Sequence, residues 1–119
     1  MMILVFALAG EDRILSGLRK RFPSVGFKKC HVNHDLESEG RGIIIIDTFR
    51  GVDKVRLVEN LESEWLGKAM EGSDIIITLR VLKKLGAIDT ARVIAVPEGH
   101  APAKSLEEIC SVISSLLTG

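Results

Sequence analysis

The stretch Gly42-Ile-Ile-Ile-Ile-Asp47-Thr-Phe-Arg-Gly51 decides the fold. Its four consecutive isoleucines are not interrupted by a polar residue, so a strand built from them is buried on both faces. Strands of this kind belong to parallel sheets that helices cover on both sides. The run therefore predicts a buried strand over residues 42–47, with Asp47 at its carboxyl end.

Apolar runs and helical periods alternate before this strand. Residues 2–9 predict a buried central strand, and residues 12–21 place their apolar side chains on one face of a helix that Pro23 stops. Residues 24–31 predict a shorter strand. The polar, acidic and glycine-containing residues 32–41 predict a loop.

The same alternation continues after the isoleucine run. Residues 74–85 carry one apolar stripe, with two lysines near its end and Gly86 just beyond, which predicts a helix. Residues 91–96 predict the last strand. Ser105 is expected to open the final helix through a capping box with Glu108.

Strands that alternate with helices predict a single α/β domain over residues 1–119. We expect a three-layer sandwich: a mostly parallel sheet of about five strands, with helices on both faces. Residues 54–59 alternate imperfectly and predict an edge strand, which can run antiparallel. The residues that are candidates to cover that edge are Trp65, Leu66 and Met70.

Composition excludes several functional classes. The chain has 119 residues, of which 46% are hydrophobic, and its sixteen basic side chains balance sixteen acidic ones. A nucleic-acid-binding protein normally has a surplus of basic residues, and a chain of balanced charge has no net electrostatic attraction to a membrane surface. The apolar opening run is too short to span a membrane and lacks the positive start of a signal peptide. Cys30 and Cys110 show no CxxC spacing, so we expect no disulfide framework and a reducing cytoplasm.

Acidic residues collect where the predicted parallel strands end. Ligands of open α/β sheets bind beyond these carboxyl ends. Carboxylates brought close together repel unless a proton or a cation lies between them, so such a cluster points to a divalent metal or to acid–base chemistry. The polar residues at these ends and at the start of the central helix are Glu11, Asp12, Asp47, Thr48, Glu71, Ser73, Asp74, Glu98 and His100.

Three of these acids have competing interpretations. Asp12 and Asp74 can serve as N-terminal helix residues that complement the macrodipole. Asp47 is harder to explain structurally, because a charge directly after an isoleucine run lies at the mouth of the sheet. A functional and a structural role stay open for it.

The histidines are a second candidate set. Cys30, His31 and His34 suggest a zinc or nickel site, because nitrogen and sulfur ligands suit these metals. Alternation along a strand points Cys30 and His31 to opposite faces, so solvent-facing histidines are the favoured interpretation. His100 follows a glycine in a loop and can be a ligand, a general base or neither. The sequence has no GxGxxG, P-loop, HExxH or GxSxG pattern.

The chain resembles the hydrogenase maturation endopeptidases in its order of elements: strand, Gly-acid loop, helix, strand, IIIIDTFRG, edge strand, then SDIIITLRVLKKLGAIDTARVIAVP. Asp47 followed by Gly51, and residues 79–86 leading into residues 93–97, carry the resemblance best. This family consists of nickel-dependent proteases that trim the C-terminal tail of the hydrogenase large subunit. The resemblance implies that subunit's precursor as the partner and a nickel ion supplied by it.

In this family an acid of the first loop, the aspartate after the third strand and a histidine before the second helix recognise the nickel. Asp47 matches the second position, and Glu11 or Asp12 is available for the first. Glu71 or Asp74 lies where the histidine would fall. The resemblance thus implies Glu11, Asp47 and Asp74 as metal ligands, and an all-carboxylate set suits magnesium, calcium or manganese better than nickel.

Two functional hypotheses follow. In the first, the protein is an endopeptidase that uses the metal already bound in its substrate. In the second, it is a non-catalytic accessory or binding domain that keeps the fold without the protease activity. A general small-molecule α/β enzyme is a third, weaker alternative.

Overall fold

The computed structural model describes residues 1–31, 33–62 and 73–118 of the chain. Trp65, Leu66, Met70 and Glu71, which the sequence analysis singled out, lie outside these residues. The strands are β1 (Met2–Val5), β2 (Gly26–Lys29), β3 (Gly42–Phe49), β4 (Arg56–Val58) and β5 (Thr90–Pro97). The helices are α1 (Glu11–Arg21), α2 (Asp74–Lys84) and α3 (Pro102–Thr118), with a 3-10 helix at Leu36–Glu39.

The strands form one sheet in the order β2-β1-β3-β5-β4. The first four strands of this order run parallel, and β4 pairs antiparallel with β5 at the edge. The predicted mostly parallel α/β fold and its edge strand are therefore confirmed. No helix among the described residues is long and apolar enough to cross a membrane.

The isoleucine run supplies both faces of the sheet. Ile43 and Ile45 belong to a core cluster with the buried face of α2, and Ile46 belongs to a second cluster with α1 and α3. All three side chains are at most 2% exposed. Successive side chains of a strand point to opposite faces of the sheet. A strand between two helical layers therefore needs an uninterrupted apolar run.

The strand β1 is shorter than the sequence indicated. Residues 2–9 were predicted as one strand, yet the chain leaves the sheet after Val5, with the Phe6 amide donating a last bond of 2.9 Å to the Ile46 carbonyl. Gly10 then adopts a φ of 67° and caps α1. The apolar residues that follow Val5 line the edge of the sheet instead of continuing the strand.

The start of α3 corrects another prediction. The helix begins at Pro102, three residues before Ser105, because proline at the first helical position has the required φ and loses no hydrogen bond there. Ser105 is buried inside the helix and its amide donates to the Ala101 carbonyl. Glu108 does not serve a capping box, since its carboxylate accepts the Val55 amide at 2.9 Å.

Candidate functional site

A crevice is expected at the carboxyl ends of β1 and β3, where the chain directions diverge. The chain leaves β1 into α1 on one face of the sheet, and the helix that follows β3 and β4, α2, covers the other face. Such topological switch points are where open α/β sheets bind ligands. Asp47 lies in β3 at this place, one residue beyond the Ile46 that pairs with the last residue of β1.

Asp47 is the unusual ionisable group at this edge of the sheet. Its side chain is half-buried on the α2 face of the sheet, in register with Ala95 of β5. Loss of hydration raises its pKa from 3.8 to about 6, although the Thr48 amide donates to its Oδ1 at 2.8 Å and opposes that rise. No cationic side chain among the described residues contributes to the shift, so the ionised form is poorly compensated.

Glu11 lies in the first turn of α1 and already has a partner. The Lys29 ammonium is 3.1 Å from its carboxylate and 3.5 Å from that of Asp12. Glu11 and Lys29 border a cavity of about 320 Å³, together with Phe6 and Cys30. A cation could replace Lys29 as the partner of Glu11 only if the lysine moved away.

Asp74 is exposed at the first position of α2, directly after the Ser73 cap, whose hydroxyl accepts the Ile76 amide at 3.4 Å. It borders a second cavity, of about 180 Å³, together with Phe6 and His34. Phe6 therefore lines both the Glu11 cavity and the Asp74 cavity. Because Val5 pairs with Ile46, Phe6 is also the neighbour of Asp47 in the next position of the register.

Glu11 and Asp74 thus border two separate cavities that share Phe6, and Asp47 borders neither of them. Among residues 1–31, 33–62 and 73–118, no group of three His, Cys, Asp or Glu side chains is arranged to hold a metal ion. A shared metal at Glu11, Asp47 and Asp74 stays a prediction. The structure places Asp12 and Asp74 in the first turn of a helix, which is the position that their structural interpretation requires.

The residues of the second candidate set, Cys30, His31 and His34, differ in their exposure to solvent. Cys30 is buried, and burial raises the pKa of its thiol, whereas His31 is exposed. His34 is less solvent-facing than expected, because its ring contacts the carboxylate of Glu39. Glu39 also binds the Lys28 ammonium at 2.7 Å, and that hydrogen bond is the main cause of its lowered pKa.

A pairing between His100 and Glu108 was not predicted from the sequence. The His100 Nδ1 lies 3.6 Å from the Glu108 Oε1, and both atoms are buried. Their only sequence signals were a histidine after Gly99 and an acid that fitted a capping box. Thr48 was noted solely as the neighbour of Asp47, yet its hydroxyl donates to the Ala7 carbonyl at 2.9 Å and ties β3 to the loop after β1.

Comparison of the sequence with protein-family models, and of the chain with curated proteins and with solved structures, gave no significant match.

Proposed function

We propose that the protein is a divergent endopeptidase of the hydrogenase maturation type, which removes a C-terminal tail from a metal-loaded large subunit. The observation that supports this most is the half-buried Asp47 carboxylate at the switch point of the sheet, with a pKa raised to about 6 and no described cationic partner. A half-buried carboxylate without a cationic partner is strongly stabilised in its ionised form when a cation binds beside it. The element order and the Asp47 to Gly51 motif, on which the family resemblance rests, add to this support.

Asp47 would bind the metal of the substrate through one oxygen. Its Oδ1 is held by the Thr48 amide, so Oδ2 is the oxygen available for a cation. A bound divalent ion stabilises the ionised carboxylate and removes the cost of desolvation. The metal remains part of the substrate, where it can polarise a carbonyl group as a Lewis acid.

Glu11 and Asp74 would complete the recognition of the loaded substrate. Asp74 is exposed and can turn toward a docked chain without losing a described ion pair. Glu11 must exchange the Lys29 ammonium, 3.1 Å away, for the incoming cation. The Lys29 side chain is half exposed, and an ion pair close to solvent contributes about 1 kcal/mol, so the exchange costs little.

A second function, binding without cleavage, is favoured by one observation. The described residues hold no ready group of three metal ligands, and Glu11 is occupied by Lys29. A domain that recognises a metal-loaded partner through Asp47 alone would need no more than this. In that case the protein would act as an accessory factor of the same partner.

A binding and cleavage experiment separates these functions. Purified protein is mixed with a hydrogenase large subunit precursor, in metal-loaded and metal-free form, and both complex formation and tail removal are measured. The endopeptidase proposal expects cleavage of the loaded form alone. Complex formation without cleavage supports the accessory function. If the protein neither binds nor cleaves the precursor in either form, both functions are contradicted.

Asp47→Asn and Asp53→Asn form the matched pair of variants. Both remove one negative charge, but Asp53 is an exposed residue whose carboxylate pairs with Arg56 at 3.2 Å. We expect Asp47→Asn to abolish recognition of the loaded substrate and Asp53→Asn to retain it. Thermal shifts with nickel, zinc, manganese and magnesium add a test without substrate, because a ligand that binds the native state raises its stability with concentration.

A further inference from the structure

The loop after β5 holds a histidine, His100, whose ring is turned toward the partly buried carboxylate of Glu108. His100 follows Gly99, which has a φ of 87°, and it precedes the start of α3 at Pro102. Its side chain is 18% exposed and that of Glu108 is 26% exposed. The atoms that face each other, Nδ1 and Oε1, are buried and have no hydrogen-bond partner in the described part of the chain. Leaving two such atoms unpaired costs free energy unless they serve each other.

Glu108 is fixed in place from its other oxygen. Its Oε2 accepts the amide of Val55, just before the edge strand β4, at 2.9 Å. This bond holds the carboxylate so that Oε1 meets the histidine. The gap of 3.6 Å is slightly longer than a hydrogen bond, as is common for acid–base groups without a bound substrate.

The ring of His100 borders a small cavity between β3, β5 and the starts of α1 and α3. The cavity has a volume of about 80 Å³, enough for a few water molecules. Thr48, Glu98 and the buried Ser105 are polar residues of its lining, and Leu8 and Ile14 are apolar ones. Since Nδ1 is directed at Glu108, Nε2 is the ring nitrogen left for the cavity.

We propose that His100 is the general base of a hydrolytic site whose attacking water is held in this cavity, and that Glu108 is its positioning residue. Glu108 keeps the proton on Nδ1, so the lone pair of Nε2 is free to accept a proton from a water molecule. The water oxygen attacks the carbonyl carbon of the scissile peptide bond and forms a tetrahedral intermediate. The C–N bond then breaks, and Nε2 returns the proton to the leaving nitrogen, which yields a carboxylic acid and an amine.

This inference rests on the proposed endopeptidase function, because it names the group that activates water for the same cleavage reaction. Thr48, on the cavity side, directly follows Asp47, on the α2 side. Thr48 and His100 line the same cavity, so the proposed base and Asp47 both lie near the carboxyl end of β3.

The tautomer of His100 tests the dyad without any substrate. Nitrogen-15 NMR of the ring should show the proton on Nδ1 in the wild-type protein. In Glu108→Gln, which keeps an acceptor for the Val55 amide but offers an NH₂ group to Nδ1, the population should move to the Nε2–H form. A wild-type ring protonated on Nε2, or a tautomer that Glu108→Gln leaves unchanged, would overturn the positioning role.

Cleavage of the metal-loaded precursor tests the base itself. We expect His100→Gln to retain binding within about twofold and to slow cleavage by about 10²–10⁴-fold, the usual contribution of a general base. Glu107→Gln, beside Glu108 but on the exposed ion pair with Arg21, is the matched control and should cleave normally. Normal cleavage by His100→Gln would overturn this inference and leave the endopeptidase proposal standing. A wild-type protein that binds through Asp47 but does not cleave would overturn both.

Discussion

Asp47 and Thr48 are consecutive residues of β3 whose side chains leave the sheet on opposite faces. Asp47 follows the alternation of Ile43 and Ile45, on the side of α2, whereas the Thr48 hydroxyl borders the cavity beside α1 and α3. The Thr48 amide also donates to the Asp47 carboxylate at 2.8 Å. Near its carboxyl end, β3 therefore places a carboxylate of raised pKa on one face of the sheet and, on the other face, a residue that lines the same cavity as His100.

The first prediction concerns the stability of Asp47→Asn. A folded-state pKa of about 6, above the ordinary 3.8, means that the native state binds the proton more tightly than the unfolded chain. The stability that Asp47 contributes is therefore complete below pH 4 and is lost as the pH rises through 6. The shift corresponds to at most about 3 kcal/mol, and partial exposure to solvent reduces this to about 1–2 kcal/mol. We expect Asp47→Asn to raise the free energy of unfolding by that amount at pH 8.

Urea unfolding at pH 8 and at pH 4 measures this effect. The gain of Asp47→Asn over the wild type should nearly vanish at pH 4, because both side chains are then neutral in the native state. The amide oxygen of asparagine can still accept the Thr48 amide. A loss of stability at pH 8 would instead identify Asp47 as a structural acceptor and would weaken the proposed function.

The second prediction has the opposite sign and concerns Asp89. Arg41 donates two hydrogen bonds to its carboxylate, at 2.9 and 2.8 Å, and these hold the pKa of Asp89 below its ordinary value. A lowered pKa contributes stability that is present above the unfolded-state pKa and is lost as the pH falls through the folded-state value. Asp89→Asn should therefore be less stable than the wild type at pH 7, by a small amount because the pair is exposed. The difference should shrink in the same urea experiment at pH 3, and a constant difference across this range would contradict the assigned ion pair.

Periodicity predicted the elements whose ends are set by local signals. The isoleucine run predicted β3, although the strand continues two residues beyond Asp47 to Phe49 because Thr48 and Phe49 still pair with β5. The helix α2 ends just before Gly86, which has a φ of 74°, as the position of this glycine after two lysines indicated. The start of α3 was wrong because Ser105 and Glu108 match a capping pattern that the structure does not use, while Pro102 sets the true start. The end of β1 was wrong because apolar residues 6–9 continue the pattern of a strand but line the edge of the sheet.

Site prediction was limited by tertiary contacts. A charge after a buried run is visible in the sequence, so Asp47 was found as a candidate. The approach of His100 and Glu108 depends on the way α3 packs beneath β5 and on the Val55 amide, which lies far away in the sequence. The pairing of Glu11 with Lys29 has the same origin, since the parallel pairing of β1 with β2 brings the lysine to the start of α1.

The third prediction concerns the cysteines. Cys30 and Cys110 are 8% and 5% exposed, and burial is the main cause of the raised pKa of each thiol. Thiolates are the reactive form, so both groups should react slowly with Ellman's reagent in the native protein at pH 7.5. Unfolding in urea should expose two rapidly reacting thiols. Rapid reaction of either cysteine in the native state would show that its core cluster opens readily.

The last prediction concerns Gly10, which brings the starts of α1 and α3 together. A Cβ atom on Gly10 would lie 2.8 Å from the Cβ of Pro102 and closer still to its Cγ, and the φ of 67° disfavours any side chain. The left-handed conformation alone costs a non-glycine residue about 1–2 kcal/mol, and the overlap with a rigid ring adds about 1–3 kcal/mol. Gly10→Ala should lower the free energy of unfolding by the sum of these two costs.

Gly86→Ala isolates the first of the two costs. Gly86 has a φ of 74°, but none of the described residues places an atom within 4 Å of the position of its Cβ, so the conformational cost dominates. Urea unfolding should therefore show a clearly larger loss for Gly10→Ala than for Gly86→Ala. Combining Gly10→Ala with Pro102→Ala should recover part of the difference, because the stability effects of substitutions at two residues in contact do not simply add. Equal losses for the two glycine variants, with no recovery in the double variant, would show that α1 and α3 do not meet as closely as Gly10 and Pro102 require.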